Sequence, residues 1–576
     1  MKRLSICCLV SLMTLGSMQA QTSNLLDRHQ EALSPSETRF GSHAEDMNVR
    51  RLRQLYSNPA FYEWVHSKDA TCQKGSNQAG GSNFSKYATS KDGKYSSALY
   101  TGYAMGEQDG DFLHYEGNAS HDYRVGAFGE YSIRDNGTIF GKVRYSRGVH
   151  EGIGWSAMRS PELYLPYIST DSIGGDFKYE DYQIEGGYAF TLNEWKIGVY
   201  GSFHGEQAHR MTDPRALNNT TWLNIGAGIL RMYNGHLLMA QGTFGRNKQN
   251  MSLRYWRPGE QDRFFVSYGF GLYDVRQSKV AFGYSRMYYI MESSARFTYQ
   301  SPTDRPFTVY ASLGYEYDRM KTEETNICDL YFSKTHTLLP SVMLNWKPSE
   351  SWKFSWWTEG RIDLRKGFEN IFERYQSDVD NNIYDYRMVD TQQNYKMMKM
   401  NALTQIRAQY QFNGNQQLGL TGGVSMNMHD EKYRNSMYSL KNGSIFPHGK
   451  VDYHFVMKKS EIELSCLYGQ QLLTDNKYNV VMRNNDIQHL DFQHAFQPYA
   501  YRNSTFSSIQ ASAAYTYHLK KCALGMKLKF MYTRGDRADD CIYTGKIGYE
   551  STAPSLSVKP DKHDETWGSA SVYLVF

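Results

Sequence analysis

Residues 307–318 read Phe-Thr-Val-Tyr-Ala-Ser-Leu-Gly-Tyr-Glu-Tyr-Asp. Phe307, Val309, Ala311, Leu313, Tyr315 and Tyr317 alternate with Thr308, Tyr310, Ser312, Gly314, Glu316 and Asp318. Successive side chains of a strand point to opposite faces, so the stretch predicts a strand with one oily and one wet face. Trp352–Leu364 repeats the pattern, with Trp352, Phe354, Trp356, Ile362 and Leu364 set against Lys353, Ser355, Glu359, Arg361 and Asp363. From about Ser96 the alternation continues to Phe576.

Composition agrees with a chain made of strands. Glycine numbers 48 against 14 prolines, and aromatics make up 15% of the residues, a profile that suits strands and turns better than packed helices. Mean hydropathy is −0.63. A membrane barrel escapes hydropathy because only every second residue meets lipid, so the value admits both a soluble β-protein and a membrane one.

Lys2 and Arg3 precede an apolar stretch, Leu4–Leu15, and small residues ending at Ala20. A basic start, a short oily middle and a small exit residue read as a secretory signal, residues 1–20. Removing it takes away Cys7 and Cys8 and leaves Cys72, Cys328, Cys466, Cys522 and Cys541, which form no CxxC. Cys466 and Cys522 fall on apolar strand faces, where a thiol acts as a small hydrophobe. A bridge between Cys328 and Cys541 has no support in spacing. The formal charge of +5 is too small to imply a nucleic-acid partner.

Residues 21–90 differ from the rest: Glu45–Ser67 has helical character through Met47, Leu52, Leu55, Phe61 and Trp64, and a Gly/Ser/Lys-rich stretch follows. Beyond them, tight turns fall at 135–137, 193–194, 234–235, 303–305, 348–350, 413–415, 458–459 and 520–521. Asn-Gly and related pairs close hairpins because they accept positive φ. Longer polar connections are expected at 147–178, 255–289, 366–394, 474–504 and 536–564. Phe264–Tyr289 reads as a loop or as a further hairpin.

Short turns on one side and long loops on the other resemble the outer-membrane β-barrels of Gram-negative bacteria. The final segment, Trp567–Phe576, is similar to the closing strand that their assembly machinery recognises. The expected fold is therefore all-β: a transmembrane antiparallel up-and-down barrel, residues 91–576, of about 18 strands (16–20). Residues 21–90 form a partly helical periplasmic or lumen-plugging segment. Only helices and closed barrels satisfy every backbone polar group in lipid. A soluble barrel this wide would need an apolar interior, and the wet faces carry too many charges for that.

Those wet faces supply the candidate lumen residues: Lys142, Arg144, Glu316, Asp318, Lys353, Glu359, Arg361, Asp363, Arg407, Glu461, Glu463, Lys527 and Lys529. Their mixed signs fit either a solute path or a self-neutralising filling, and no single-sign ring sets selectivity. No His lies in a G-x-S-x-G-like context or an H-E-x-x-H repeat, so no catalytic residue is expected. The pair His489 and His494, with Asp486 and Asp491, is spaced as chance gives. Asp378-Val-Asp380-Asn-Asn382 begins like a calcium loop, but Ile383 replaces the required glycine. No metal site and no cofactor are expected.

Asn58-Pro59-Ala60 resembles an element of the long-chain fatty-acid transporter family, which implies an N-terminal hatch inside the lumen. The plainer reading is a plug segment whose proline ends a helix. A TonB-dependent receptor, with its larger plug and 22 strands, exceeds this chain. The expected function is passage of a solute across the outer membrane through a polar, plugged lumen. The alternatives are an accessory or scaffold barrel and, less favoured, an outer-membrane enzyme. Expected partners are outer-membrane lipid and the assembly machinery, with a surface lipoprotein or another outer-membrane subunit as a further candidate.

Overall fold

The computed structural model describes residues 35–66 and 95–576, apart from 134–136, 172, 255, 257–263, 270–271, 275–284, 325–328, 379, 381, 435–437, 483–488, 491–498, 500, 537–545 and 548–561. The secretory signal, Cys72, Cys328, Cys541, His494, Asp486 and Asp491 lie outside the described residues.

Eighteen antiparallel strands close into one barrel. They are β1 (Tyr95–Gly110), β2 (Ala119–Ile133), β3 (Gly137–Ile153), β4 (Gly175–Leu192), β5 (Trp195–Arg210) and β6 (Arg215–Tyr233). Next come β7 (His236–Arg254), β8 (Arg286–Gln300), β9 (Phe307–Glu324), β10 (Tyr331–Trp346), β11 (Trp352–Asp378) and β12 (Ile383–Asn413). The last are β13 (Gln416–Tyr433), β14 (Tyr438–Val456), β15 (Ser460–Gln470, resuming at Leu472–Met482), β16 (Thr505–His518), β17 (Ala523–Asp536) and β18 (His563–Val575). Each strand pairs with the next, and β18 pairs back onto β1 from Ala98↔Val575 to Gly110↔His563, so no edge is left open.

The alternation decides which face is which. Val143, Ile184, Leu223, Phe297, Leu313 and Ile406 are exposed on the outside, while their sequence neighbours point inward. Trp195, Tyr233, Trp346, Trp352 and Phe412 are exposed beside the tight turns, forming an aromatic girdle at one rim. A closed wall with a continuous apolar exterior is stable only with lipid around it. The chain is an outer-membrane β-barrel. No described helix is long and apolar enough to cross a membrane; the strands make the crossing.

Three helices lie inside: α1 (Pro35–Ala44), α2 (Met47–Tyr56) and α3 (Ala60–His66). The Asp46 carboxylate caps α2 by accepting from Asn48 N at 2.8 Å, and Asn58 Oδ1 starts α3 by accepting from Ala60 N at 3.0 Å. Leu52, Leu55, Phe61 and Trp64 are buried against lumenal Phe140, Leu230, Met343 and Trp357 near the short-turn end. Burying side chains of this size stabilises docking by roughly 1.5–3 kcal/mol each before the entropy of ordering the segment is counted.

The opposite mouth is filled by connections that fold back into it. Ser169–Asp171 pairs with Phe264–Ser267, that strand with Leu272–Asp274, and the last with His489–Leu490. Three separate loops thus share one small sheet, so Phe264–Tyr289 holds a hairpin of this lid followed by the start of β8. Beneath it Tyr164, Tyr167 and Ile168 are buried among Tyr288, Tyr395, Tyr433 and Tyr438.

Three expectations need correction. Residues 366–394 are not a loop: β11 and β12 continue through them as a ribbon that pairs only with itself beyond Glu369 and Tyr395. Outside the bilayer no lipid imposes alternation, so the pattern that marks the strands below is missing there. The connections at 111–118 and 211–214 are short although they lie on the loop side. Cys522 sits in the turn before β17 rather than on a strand face, whereas Cys466 is exposed on the outer face of β15.

Candidate functional site

The functional candidates are the side chains between plug and wall. Inward alternation places all the charged candidates on the lumenal face. Arg144 pairs with Asp181 at 3.3 Å, Lys142 with Glu185 at 3.3 Å, and Arg361 with both Glu316 at 3.5 Å and Asp363 at 3.0 Å. Asp363 also accepts from the Thr337 hydroxyl at 2.6 Å. Glu461 meets His454 at 2.8 Å, with Glu463 beside them. Lys527 is buried, while Asp318, Lys353 and Lys529 are half-buried on the same face.

Two of these candidates hold the plug. Glu359 forms an ion pair with Arg50 of α2, and Arg407 bridges Asp46 of the plug and Asp452 of β14, the latter at 2.5 Å. The remaining plug contacts were not legible as pairs. Arg39 reaches Glu565 at 2.6 Å and Glu116 at 2.9 Å. Gln54 Oε1 accepts from the Tyr310 and Ser341 hydroxyls, each at 2.7 Å. The Glu63 carboxylate accepts from Thr138 at 2.8 Å and Thr191 at 2.9 Å. The partners lie tens to hundreds of positions apart, so no spacing could announce them. The one available signal was the density of arginines, Arg50, Arg51 and Arg53, within a single ten-residue helix.

Asn58, Pro59 and Ala60 form the turn between α2 and α3. The Asn58 amide donates to Ala240 O at 3.1 Å and Ile229 O at 3.4 Å, which ties the turn to β6 and β7. Gly198 and Gly228 make the seat, since a Cβ on Gly198 would stand 2.4 Å from the Pro59 carbonyl carbon.

Electrostatics fix the plug's protonation. Burial alone would raise the Asp46 carboxyl, but Arg407, Lys450 and the Asn48 N–H hold it below the usual carboxylate range. Burial, with His448 and Arg50 adding like charge, pushes the His43 imidazole down to about 3. That ring stacks on Phe446 with centroids 4.4 Å apart. Burial would lower the Arg39 guanidinium, yet Glu565, Tyr501 and Glu116 hold it well above its ordinary value.

Between α1–α2 and the wall from β8 to β18 lies a cavity of about 540 Å³. Its charged lining consists of Arg39, Arg50, Arg296, Arg361, Lys399 and Arg502 against Glu359 and Glu565, with His43, His429 and His563. Arg39, Arg50 and Arg361 are committed to carboxylates. Arg296 and Lys399 form no ion pair among the described residues, and the lining carries six cationic side chains against two carboxylates. This is a binding volume with a sign.

A family model described as a family of unknown function, DUF6850, matches residues 87–576. The chain belongs to that family. The match covers the whole barrel and begins after the helical plug. The likeness of Asn58-Pro59-Ala60 to fatty-acid transporters therefore does not extend to kinship: the three residues lie outside the matched region, and the family is a different one. No curated protein matches the chain. Among solved structures it is similar to the copper transporter OprC at 8% identity, covering 83% of this chain and 80% of that one, with a TM-score of 0.37. The ferric preacinetobactin receptor BauA from Acinetobacter baumannii matches at 9% identity over 84% and 80%, TM-score 0.36. The ferric yersiniabactin uptake receptor FyuA from Yersinia pestis matches at 10% over 83% and 80%, TM-score 0.33.

Proposed function

We propose that this DUF6850 barrel admits a small anionic solute across the outer membrane through a lumen gated by its own N-terminal helices. One observation carries the reading: a chamber of about 540 Å³ between plug and wall is lined by six arginine and lysine side chains against two carboxylates. Arg296 and Lys399 are half-buried on that lining and form no ion pair among the described residues, which leaves them able to meet a solute's negative charge. The plug is bound through hydrogen bonds and ion pairs as well as apolar contacts, which suits a segment that moves. Neither step needs a catalytic group.

The test is conductance of the purified full-length chain in planar bilayers. The intact protein is expected to stay closed, and deletion of residues 35–66 to open a channel that favours anions. Arg296→Glu with Lys399→Glu in that background should move the reversal potential toward cations. A deletion variant that folds and still does not conduct would sink the proposal.

A second reading, an accessory barrel that docks another surface protein, is favoured by the ribbon of β11 and β12. Ile371, Tyr375, Ile383, Tyr384, Met388 and Val389 are exposed there, on a two-stranded element with no sheet neighbours. Two-stranded ribbons are marginal alone, and a partner would cover this apolar surface. Native co-purification that depends on residues 370–393 would support it.

A further inference from the structure

We propose that the lumenal face at the short-turn end of β14–β16 binds one divalent transition-metal ion through His454, Glu461, Glu463 and His518. His454 and Glu463 are direct cross-strand partners, and Glu461 pairs with Thr516 on the next strand, two residues from His518. Ligand atoms of His454, Glu461 and Glu463 all lie within 4.8 Å of one another. His454 Nε2 stands 2.8 Å from Glu461 Oε1, and His518 Nε2 stands 3.6 Å from Glu461 Oε2. One carboxylate thus has an imidazole at each oxygen.

A second observation points to a ligand. Glu461 is 1% exposed, yet its Oε2 has no hydrogen-bond partner. A buried carboxylate oxygen in that state is costly unless a cation meets it. Two imidazole nitrogens with carboxylate oxygens form a borderline donor set, which suits zinc or a similar first-row ion better than calcium, magnesium or a soft monovalent metal. Asp452 also faces His454, and Lys527 shares the lumenal face two strands beyond Glu463. The competing arrangement is a metal-free His–Glu–Lys ion network. No sequence motif marks the site because its ligands come from three strands. The inference is independent of the uptake reading.

The experiment uses tag-free full-length protein in detergent, stripped with chelator and titrated with Co²⁺ followed spectroscopically, then with Zn²⁺ by calorimetry in excess Mg²⁺. One saturable equivalent is expected, with the d–d bands of a low-symmetry nitrogen–oxygen site, and Zn²⁺ should displace the Co²⁺. His454→Gln and Glu461→Gln should each weaken binding by about tenfold or more. His336→Ala, which removes an exposed histidine of the outer face, should leave it unchanged. Heat-modifiable gel mobility identifies variants that still fold. Absence of a saturable equivalent in the wild-type barrel overturns the proposal, as does undiminished affinity in both folded variants.

Discussion

Asn58 and Gly228 fit together so closely that no side chain can stand between them: a Cβ on Gly228 would lie 2.1 Å from Asn58 Oδ1. Asn58 cannot swing aside without losing its bonds to Ala60, Ala240 and Ile229. Gly228→Ala should therefore weaken plug docking by about 1–3 kcal/mol, the range for overpacking a tight contact. The barrel itself should remain, because Gly228 faces the lumen rather than the ladder. The expected readout is more frequent channel opening in bilayers with unchanged heat-modifiable mobility.

Arg407 binds the plug by holding Asp46 on one side and Asp452 on the other. Arg407→Ala removes the ion-pair partner of both carboxylates and leaves them the field of Lys450. Breaking such a pair costs about 3–5 kcal/mol when it is fully buried, and the low end applies because Asp46 keeps 21% of its side-chain surface. Arg407→Lys should recover only part of the loss, since an ammonium cannot fork between two acceptors. Protease protection of residues 35–66 in detergent measures both variants.

Acid should loosen the plug in two stages. An undocked His43 titrates near 6.5, whereas the docked ring is held at about 3, so protons favour the undocked state throughout that interval. Docking is at full strength above pH 6.5 and should lose about 1–2 kcal/mol by pH 5. Asp46 works in the same direction but lower: its depressed carboxyl contributes above about pH 4 and fails as pH falls further. His43→Phe should flatten the upper stage and Asp46→Asn the lower one. Conductance against pH separates them, and an identical profile in His43→Phe would contradict the first assignment.

The wall was legible in the sequence and the contents of the lumen were not, for one physical reason. Lipid forces each crossing strand to alternate, so Phe307–Asp318 and Trp352–Leu364 announce their faces locally. The tight turns do the same through residues that accept positive φ, as at Asn193 and Asn234. Above the bilayer that constraint lapses, and Ile371–Asp378 and Ile383–Val389 read as loop although they are strand. Inside the barrel the partners are set by closure: Arg39 meets Glu565 across 526 positions, and His454 and His518 both meet Glu461 only because β14, β15 and β16 are neighbours. Lumenal charges could be named singly from their strands. Arg296 and Lys399 escaped because their role depends on which charges nearby are already paired.

The lid depends on a fully buried ion pair, Arg210 with Asp171 at 2.7 Å. Arg210 also donates to Pro214 O at 2.6 Å, which joins the lid to the short connection after β5. Asp171 in turn accepts from Ile173 N at 3.0 Å and Gly174 N at 2.9 Å, so it shapes the return into β4. Arg210→Ala strands the carboxylate, and the expected cost of about 3–5 kcal/mol exceeds what so small a sheet can hold. Asp171→Asn keeps the turn bonds and removes the uncompensated charge, so it should be milder. In Arg210→Ala cells, protease added outside should cut within 154–174 much faster than in wild type, while the barrel core stays intact. Equal cutting rates in the two strains would show that Tyr164, Tyr167 and Ile168 hold the lid without the pair.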